Sequence, residues 1–192
     1  MNKQQKLSGP AVFFYSTIAL TAMLSGAFFF LYYTGISAHD VILWGGIVSF
    51  MILYHFGLRI LFGEITKRIK IDYRHPFFAR KPFEARVFKL LRVRLWKDRV
   101  LTFDPAAFDL KTRSLEEVAT TMAKSEVDHW INEVISLTSL LFSFIWGCFP
   151  AFFLTALAAM LFDFQFILVQ RYNRPIAVRL MEHRKQKQPK TI

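Results

Sequence analysis

The sequence predicts an all-α integral membrane protein with four transmembrane helices and a basic helical segment between the second and the third. Its 192 residues are 54% hydrophobic and include 22 Phe, a composition typical of membrane proteins rather than of a soluble core. The apolar runs are long enough to cross a hydrocarbon layer about 30 Å thick. The 25 Lys+Arg outnumber the 14 Asp+Glu, and the excess lies between and after those runs. We expect one membrane domain over residues 1–192.

The basic composition and the single cysteine limit the other classes of function. Excess positive charge can indicate nucleic-acid binding, but in a membrane chain it is more typical of cytoplasmic loops and of contact with anionic headgroups. We therefore expect membrane lipids, and no nucleic acid, among the partners. Cys148 is the only cysteine and lies inside an apolar run, so an intrachain disulfide is excluded and redox chemistry is not expected.

Two apolar runs near the start of the chain predict the first two spans. Residues 11–33 carry no charge and end in a tyrosine pair suited to the membrane interface. A cleaved signal peptide is the alternative, but an apolar run of 23 residues exceeds the usual length of roughly 7 to 15. The second span is predicted at 41–62. It contains His55, and an intramembrane histidine usually faces protein or water.

The predicted cytoplasmic segment is residues 63–128. Its first part, from Gly63 to Arg99, has 12 Lys+Arg against 4 Asp+Glu, which places this segment and both termini in the cytoplasm by the positive-inside rule. Apolar residues recur at helical spacing among basic ones in residues 82–97, a pattern that predicts a helix in the headgroup layer. Ser114 and Glu117 form a capping-box pattern that predicts the start of another helix.

The last two spans are predicted as a hairpin. No charged residue occurs from Val134 to Phe162, a run of 29 residues that is too long for one span and too short for two. Spans at 129–148 and 151–170, with a tight turn near Pro150, use the apolar sequence fully. The tail after them has seven Lys+Arg and one acid, which again predicts a cytoplasmic end in a bacterial cell membrane.

Glu126 and His129 lie at the entrance of that hairpin. They are three residues apart on a predicted helix, so their side chains can touch. A carboxylate bound to one ring nitrogen leaves the other nitrogen basic, as a general base requires. One alternative is a buried structural pair. A metal-binding pair is another, but the only second copy of the motif is Asp72-x-x-His75, so no metal is expected.

A polar motif lies at the other end of the hairpin, Q-R-Y-N-R-P from Gln170 to Pro175. Arg171 and Arg174 can bind phosphate or carboxylate through paired hydrogen bonds, and an amide such as Asn173 can stabilise an oxyanion. A basic stop-transfer cluster is the alternative. It explains the two arginines but not the residues between them. Since the hairpin is antiparallel, we expect His129 and Asn173 at one depth.

Together these motifs resemble the glycosyl-4,4'-diaponeurosporenoate acyltransferase family. The resemblance covers roughly Pro82 to Arg179 and rests on W-K-D (Trp96 to Asp98), E-x-x-H-W (Glu126 to Trp130) and Q-R-Y-N-R-P, in that order. Members of that family attach a fatty acyl chain to a sugar hydroxyl of a glycosylated carotenoid. The resemblance implies a membrane O-acyltransferase. Its donor would be an acyl thioester on coenzyme A or acyl carrier protein, and its acceptor a hydroxyl of a glycolipid or similar amphipathic molecule.

The predicted catalytic group is His129 as base, Glu126 as its orienting carboxylate and Asn173 as oxyanion donor. The predicted substrate contacts share aromatic or polar side chains at the predicted cytoplasmic side: Arg171, Arg174, Tyr172, Gln170, Trp130 and His55. No metal or redox cofactor is required by this chemistry. The alternatives are a non-catalytic assembly or scaffold protein and, less favoured, a metal-dependent lipid-modifying enzyme.

Overall fold

A computed structural model describes residues 9–100 and 104–187, and all the regular structure in those ranges is helical. The chain divides into two compact units, Met1–Leu61 and Phe62–Ile192, which are described separately below. Three helices in the described ranges are long and apolar enough to cross a membrane, by length and composition. The chain is therefore a membrane protein, although four such helices were predicted.

The first unit contains helix α1 (Gly9–Tyr33) and most of helix α2 (Asp40–Lys67). Both are confirmed as apolar helices of membrane-spanning length, over Val12–Tyr33 and Asp40–Lys67. Between them Gly35 has φ +78°, a left-handed conformation that glycine adopts without the steric cost other residues incur.

Glycines bring α1 and α2 close together. A Cβ atom added at Gly46 would lie 2.8 Å from Cδ1 of Phe29, and one added at Gly45 would lie 3.1 Å from Cε2 of Phe28. Small residues permit such close approach between apolar helices, which associate in lipid largely through van der Waals packing. Gly45 and Gly46 thus leave the space that the rings of Phe28 and Phe29 occupy.

The second unit is built on helix α5 (Leu115–Thr138), which packs along helix α7 (Phe149–Lys187). The predicted capping box is confirmed: the Ser114 hydroxyl accepts from the Glu117 amide at 3.2 Å, and the Glu117 carboxylate accepts from the Ser114 amide at 2.7 Å. Helix α7 contains the predicted span 151–170 and extends well beyond it, since 39 residues measure about 58 Å.

The predicted span at 129–148 is wrong as a single apolar helix. Helix α5 ends at Thr138, a 3₁₀ turn follows over Ser139–Phe142, and the short helix α6 covers Ser143–Trp146. Polar side chains explain the difference, because they lower the apolar character of this stretch and their hydroxyls bind nearby carbonyls. The Ser139 hydroxyl, for example, donates to the carbonyl of Ser136 at 2.6 Å.

The turn before α7 lies near Pro150, as predicted, but Pro150 is not the residue at which the chain turns. The chain reverses at Gly147 and Cys148, which have φ values of +72° and +52°. Pro150 lies instead in the first turn of α7, where the amide that proline lacks would have no partner within the helix.

The stretch 82–97 forms two short helices rather than one, α3 (Glu84–Leu90) and α4 (Val93–Trp96). The break is at Arg92, whose φ of +50° is left-handed. Phe88 and Val93 are buried in a cluster with Leu168 of α7. The apolar residues that defined the predicted stripe mostly point outward, and their position in the headgroup layer stays a prediction.

Candidate active site

His129 and Asp163 form a dyad between α5 and α7. The Nδ1 atom of His129 lies 2.8 Å from Oδ1 of Asp163, and the amide of Asn132 donates to the same oxygen at 3.0 Å. The Asp163 side chain is 2% exposed, whereas that of His129 is 20% exposed. The tautomer of His129 that donates Nδ1–H to this carboxylate carries its lone pair on Nε2. The arrangement can therefore accept a proton at Nε2.

An aromatic ring fixes the plane of the imidazole. The rings of His129 and Phe166 are stacked, with centroids 4.5 Å apart and planes 4° from parallel. Phe166 lies three residues after Asp163 on α7, so one helix face supplies both the carboxylate and the stacking ring. His129 is thus held by a hydrogen bond to a carboxylate and by a flat apolar contact.

Glu126 has different partners from those predicted. It is fully buried, and its two carboxylate oxygens accept separately from Arg171 and from Arg174. The prediction that Glu126 orients His129 is wrong, because α5 directs Glu126 to the arginines and His129 to Asp163. The three-residue spacing was compatible with contact but did not determine it.

The two arginines join α7 to the start of α3 and to the segment before it. Nε of Arg171 donates to Glu84 at 2.6 Å, and Nη2 of Arg174 donates to the backbone carbonyl of Phe78 at 2.8 Å. Arg174 is 1% exposed and also lies over the Phe78 ring, 4.7 Å from its centroid. We call Glu84, Glu126, Arg171 and Arg174 the ion-pair network. Donor binding by these arginines stays a prediction, but their contacts are those of a structural cluster.

The remaining residues of the Q-R-Y-N-R-P motif also pack against neighbours. The Gln170 amide donates to the Ser125 hydroxyl at 3.2 Å. The Tyr172 ring meets Phe88 edge-on at 5.3 Å, and Lys97 lies 5.9 Å from the centre of the Tyr172 ring. These contacts tie α7 to α5 and to the α3–α4 segment.

Asn173 lies too far along α7 to serve the predicted oxyanion role beside His129. It follows Asp163, the partner of His129, by ten residues, which is about 15 Å along a helix. The prediction that His129 and Asn173 share one depth is therefore wrong. Residue 126, rather than 129, lies opposite the 170–174 stretch, since the helices are antiparallel and Glu126 contacts both arginines.

Two other residues, His55 and Trp130, are also predicted to contact the substrate. His55 is buried in α2 and belongs to the first unit, where its ring meets Tyr54 edge-on at 5.6 Å. Trp130 is 39% exposed on α5, immediately after His129. Substrate binding by either residue stays a prediction.

A cavity of about 320 Å³ opens beside Phe166. Phe166, the ring stacked on His129, lines it together with Trp96, Arg99, Val100, Phe162 and Gln165. The indole nitrogen of Trp96 donates to the carbonyl of Leu91 at 2.8 Å. The cavity thus combines aromatic walls with two polar side chains, a combination typical of sites for amphipathic ligands.

A model of the glycosyl-4,4'-diaponeurosporenoate acyltransferase family matches residues 74–183. The chain belongs to this family. It is therefore an acyltransferase, and the matched region of this acyltransferase holds the dyad, the ion-pair network and the cavity. No curated protein and no solved structure is significantly similar to it.

Sequence reasoning missed Asp163, the second residue of the acyltransferase dyad, and Asn132, which donates to it. Asp163 was visible as the first acid after a run of 29 uncharged residues, inside a predicted span. An ionisable residue at such a position faces protein and indicates a functional site, so this signal was available. Asn132 lies one helical turn after His129 and carried no comparable signal.

Asp128 is the neighbour of His129 on α5. Burial raises the pKa of its carboxyl group, while a hydrogen bond with Thr66 and the nearby His129 and Lys124 act in the opposite direction. Across residues 9–100 and 104–187, no group of three or more His, Cys, Asp or Glu side chains is arranged to hold a metal ion.

Proposed function

We propose that this acyltransferase transfers a long-chain fatty acyl group from an acyl thioester to a hydroxyl of a glycolipid or similar amphipathic acceptor. The donor thioester would be carried on coenzyme A or on acyl carrier protein. The family supports acyl transfer in general. The dyad supports the acceptor class, because a histidine oriented by a buried carboxylate is suited to deprotonate a hydroxyl.

In the proposed reaction His129 acts as general base. Its Nε2 takes the proton of the acceptor hydroxyl as the oxygen attacks the thioester carbonyl. The new C–O bond forms, the C–S bond breaks, and the same proton then passes from His129 to the departing thiolate. Asp163 keeps the imidazole in the required tautomer and stabilises its transient positive charge. The reaction transfers an acyl group and a proton without any change of oxidation state, so we expect no redox cofactor; with His129 as the base, we expect no metal either.

The cavity is the proposed place of reaction. Its aromatic walls suit the apolar part of a substrate, and Phe166 places it next to the imidazole. Gln165 and Arg99 are its polar groups, and either can donate a hydrogen bond to a developing oxyanion. This assignment replaces the predicted role of Asn173.

We further propose that the enzyme resides in a bacterial cell membrane with both termini in the cytoplasm. Seven Lys+Arg and one acid in residues 171–192 support a cytoplasmic tail. The broken helical stretch from α5 through α6 runs antiparallel to α7. If α7 crosses the membrane, this stretch crosses it in the opposite direction, so the start of α5 and the end of α7 lie on the same side. Reporter fusions at Ala38 and Lys190 are then expected on opposite sides of the membrane.

The test is acyl transfer by purified protein in proteoliposomes, with acyl-coenzyme A and a glycolipid acceptor, beside mass spectrometry of lipids from cells with and without the gene. We expect His129→Ala to abolish transfer while the protein still inserts. Loss of an acylated glycolipid in the deletion strain identifies the acceptor. Full activity of folded His129→Ala protein refutes the mechanism, and an unchanged lipidome favours the scaffold alternative.

A further inference from the structure

The α3–α4 segment carries an outward face that is both apolar and basic. Its exposed apolar side chains are large: Phe83 is 62% exposed, Leu90 81%, Leu91 42% and Leu95 68%. Exposed basic residues alternate with them, namely Arg86, Lys89, Arg92 and Arg94. We call these eight residues the α3–α4 face.

The charge on this part of the chain is almost entirely positive at the surface. Residues 80–99 contain eight Lys+Arg and two acids. One acid, Glu84, is 4% exposed and bound by Arg171, so it adds no surface charge. The other, Asp98, is paired with Lys97 at 2.6 Å. The α3–α4 face therefore presents uncompensated positive charge around exposed leucine and phenylalanine side chains.

The opposite side of α3–α4 is docked on α7. Phe88 and Val93 pack against Leu168, and Phe88 also meets the Tyr172 ring. The Glu84–Arg171 ion pair fixes the same contact. Since the inner side is occupied by α7, the α3–α4 face points away from that helix, and its apolar residues are not part of the core.

The docking position on α7 corresponds to the edge of a bilayer. Helix α7 begins at Phe149, and Leu168 to Tyr172 follow it by 19 to 23 residues, about 29 to 35 Å along the axis. The hydrocarbon core of a bilayer is about 30 Å thick. The α3–α4 segment thus contacts α7 where an apolar helix that starts at one surface reaches the other.

From these four observations we infer that the α3–α4 face is a lipid-binding surface for anionic phospholipid headgroups. The leucine and phenylalanine side chains enter the acyl boundary, and the basic side chains contact the phosphates. The segment is then a membrane-surface anchor that holds the ion-pair network at the headgroup level. This function is independent of acyl transfer and survives if the proposed reaction is wrong.

The test places an environment-sensitive fluorophore on Leu90→Cys in a Cys148→Ser background. The full-length protein is reconstituted in nanodiscs of pure phosphatidylcholine and in nanodiscs that also contain phosphatidylglycerol. We expect a blue-shifted emission and quenching by lipid-attached nitroxide with phosphatidylglycerol only. Adding Arg86→Gln, Lys89→Gln and Arg94→Gln to the labelled protein is expected to abolish the shift. High salt is expected to abolish it in the labelled protein without these three changes. Leu110→Cys, also an exposed leucine at 58%, serves as the control site and is expected to show none.

Several outcomes overturn the inference. Equal emission at positions 90 and 110, with equal quenching by aqueous iodide, shows that the α3–α4 face lies in water. Equal shifts in the two nanodisc compositions show that anionic headgroups are not recognised. A shift in detergent that rises with protein concentration identifies a second copy of the chain as the occupant instead.

Discussion

The Nδ1 atom of His129 lies 2.8 Å from a carboxylate that follows it by 34 residues, that of Asp163. Replacing Asp163 by Asn keeps the shape of the side chain but removes its charge and allows the wrong imidazole tautomer. We expect Asp163→Asn to lower the turnover number roughly 10²-fold or more, with little change in the Michaelis constants. Steady-state acyl transfer in proteoliposomes measures this.

Asp128→Asn is the matched control, because it removes a carboxylate from the residue next to His129. It is expected to retain turnover within a few-fold. If Asp163→Asn were as active as the parent protein, the dyad would have only a structural role. Unfolding temperature, measured on the same samples, distinguishes lost catalysis from lost structure.

The ion-pair network predicts large effects on stability. Arg174 and Glu126 are 1% and 0% exposed, so removing one leaves the other buried without its partner charge. Breaking a buried pair in this way typically costs about 3–5 kcal/mol. We expect Arg174→Gln to unfold at a clearly lower temperature in detergent, with an unchanged donor Michaelis constant in the surviving protein.

Arg179→Gln is the control for that variant, since Arg179 is an exposed arginine on the same helix. It should unfold like the parent protein. The donor-binding hypothesis makes the opposite prediction for Arg174→Gln: normal stability and a raised Michaelis constant for the donor. Those two results together would show that the arginines bind the donor substrate.

Two carboxylates on α5 are expected to change the stability of the protein with pH in opposite directions. Capping-box hydrogen bonds with Ser114 lower the pKa of Glu117, so its contribution to stability is present at neutral pH and is lost as pH falls through the folded pKa. Burial raises the pKa of Asp128, so its protonated form favours folding and its contribution is lost as pH rises.

The measurement is thermal unfolding between pH 2 and pH 8. We expect Glu117→Gln to be less stable than the parent at pH 8, with a difference that persists to about pH 4 and shrinks below it, as the pH approaches the lowered pKa of Glu117. Asp128→Asn is expected to be more stable than the parent at pH 8, and this difference shrinks toward pH 4. Two variants with parallel pH profiles would contradict both assignments.

The helix contact in the first unit gives a test with a matched glycine. Gly46→Ala forces the Phe29 ring to move, since the new Cβ would lie 2.8 Å from it, and overpacking typically costs about 1–3 kcal/mol. Nothing lies within 4 Å of a Cβ added at Gly57, so Gly57→Ala is expected to stabilise α2 by roughly 0.5–1 kcal/mol. Equal shifts in unfolding temperature would show that the glycines do not set the packing.

Local signals in the sequence predicted local structure well. The Ser114–Glu117 pattern fixed the start of α5, because a capping box uses only backbone and side-chain groups three residues apart. The apolar runs located α1, α2 and α7 for a similar reason. The reversal of the chain at Gly147 was predicted within a few residues, as a turn near Pro150.

The partners of charged side chains could not be predicted in the same way. Glu126 had a near neighbour in sequence, His129, and two distant arginines, and spacing alone cannot rank them. The arginines bind it because α7 is antiparallel to α5 and brings them opposite Glu126. Asp163 was overlooked because the hairpin was defined by its run of uncharged residues. Asp163 was therefore treated as the end of that run and not as a candidate for the site.

The long-range pairs of the ion-pair network impose an order on biosynthesis. Arg171 follows Glu84 by 87 residues and Glu126 by 45, so both acids leave the ribosome before their cations exist. Until α7 is complete, two carboxylates destined for the interior have no guanidinium to neutralise them. A nascent chain truncated before Arg171 thus lacks the charges that close the unit, and α7, which is synthesised after α3 and α5, completes the network.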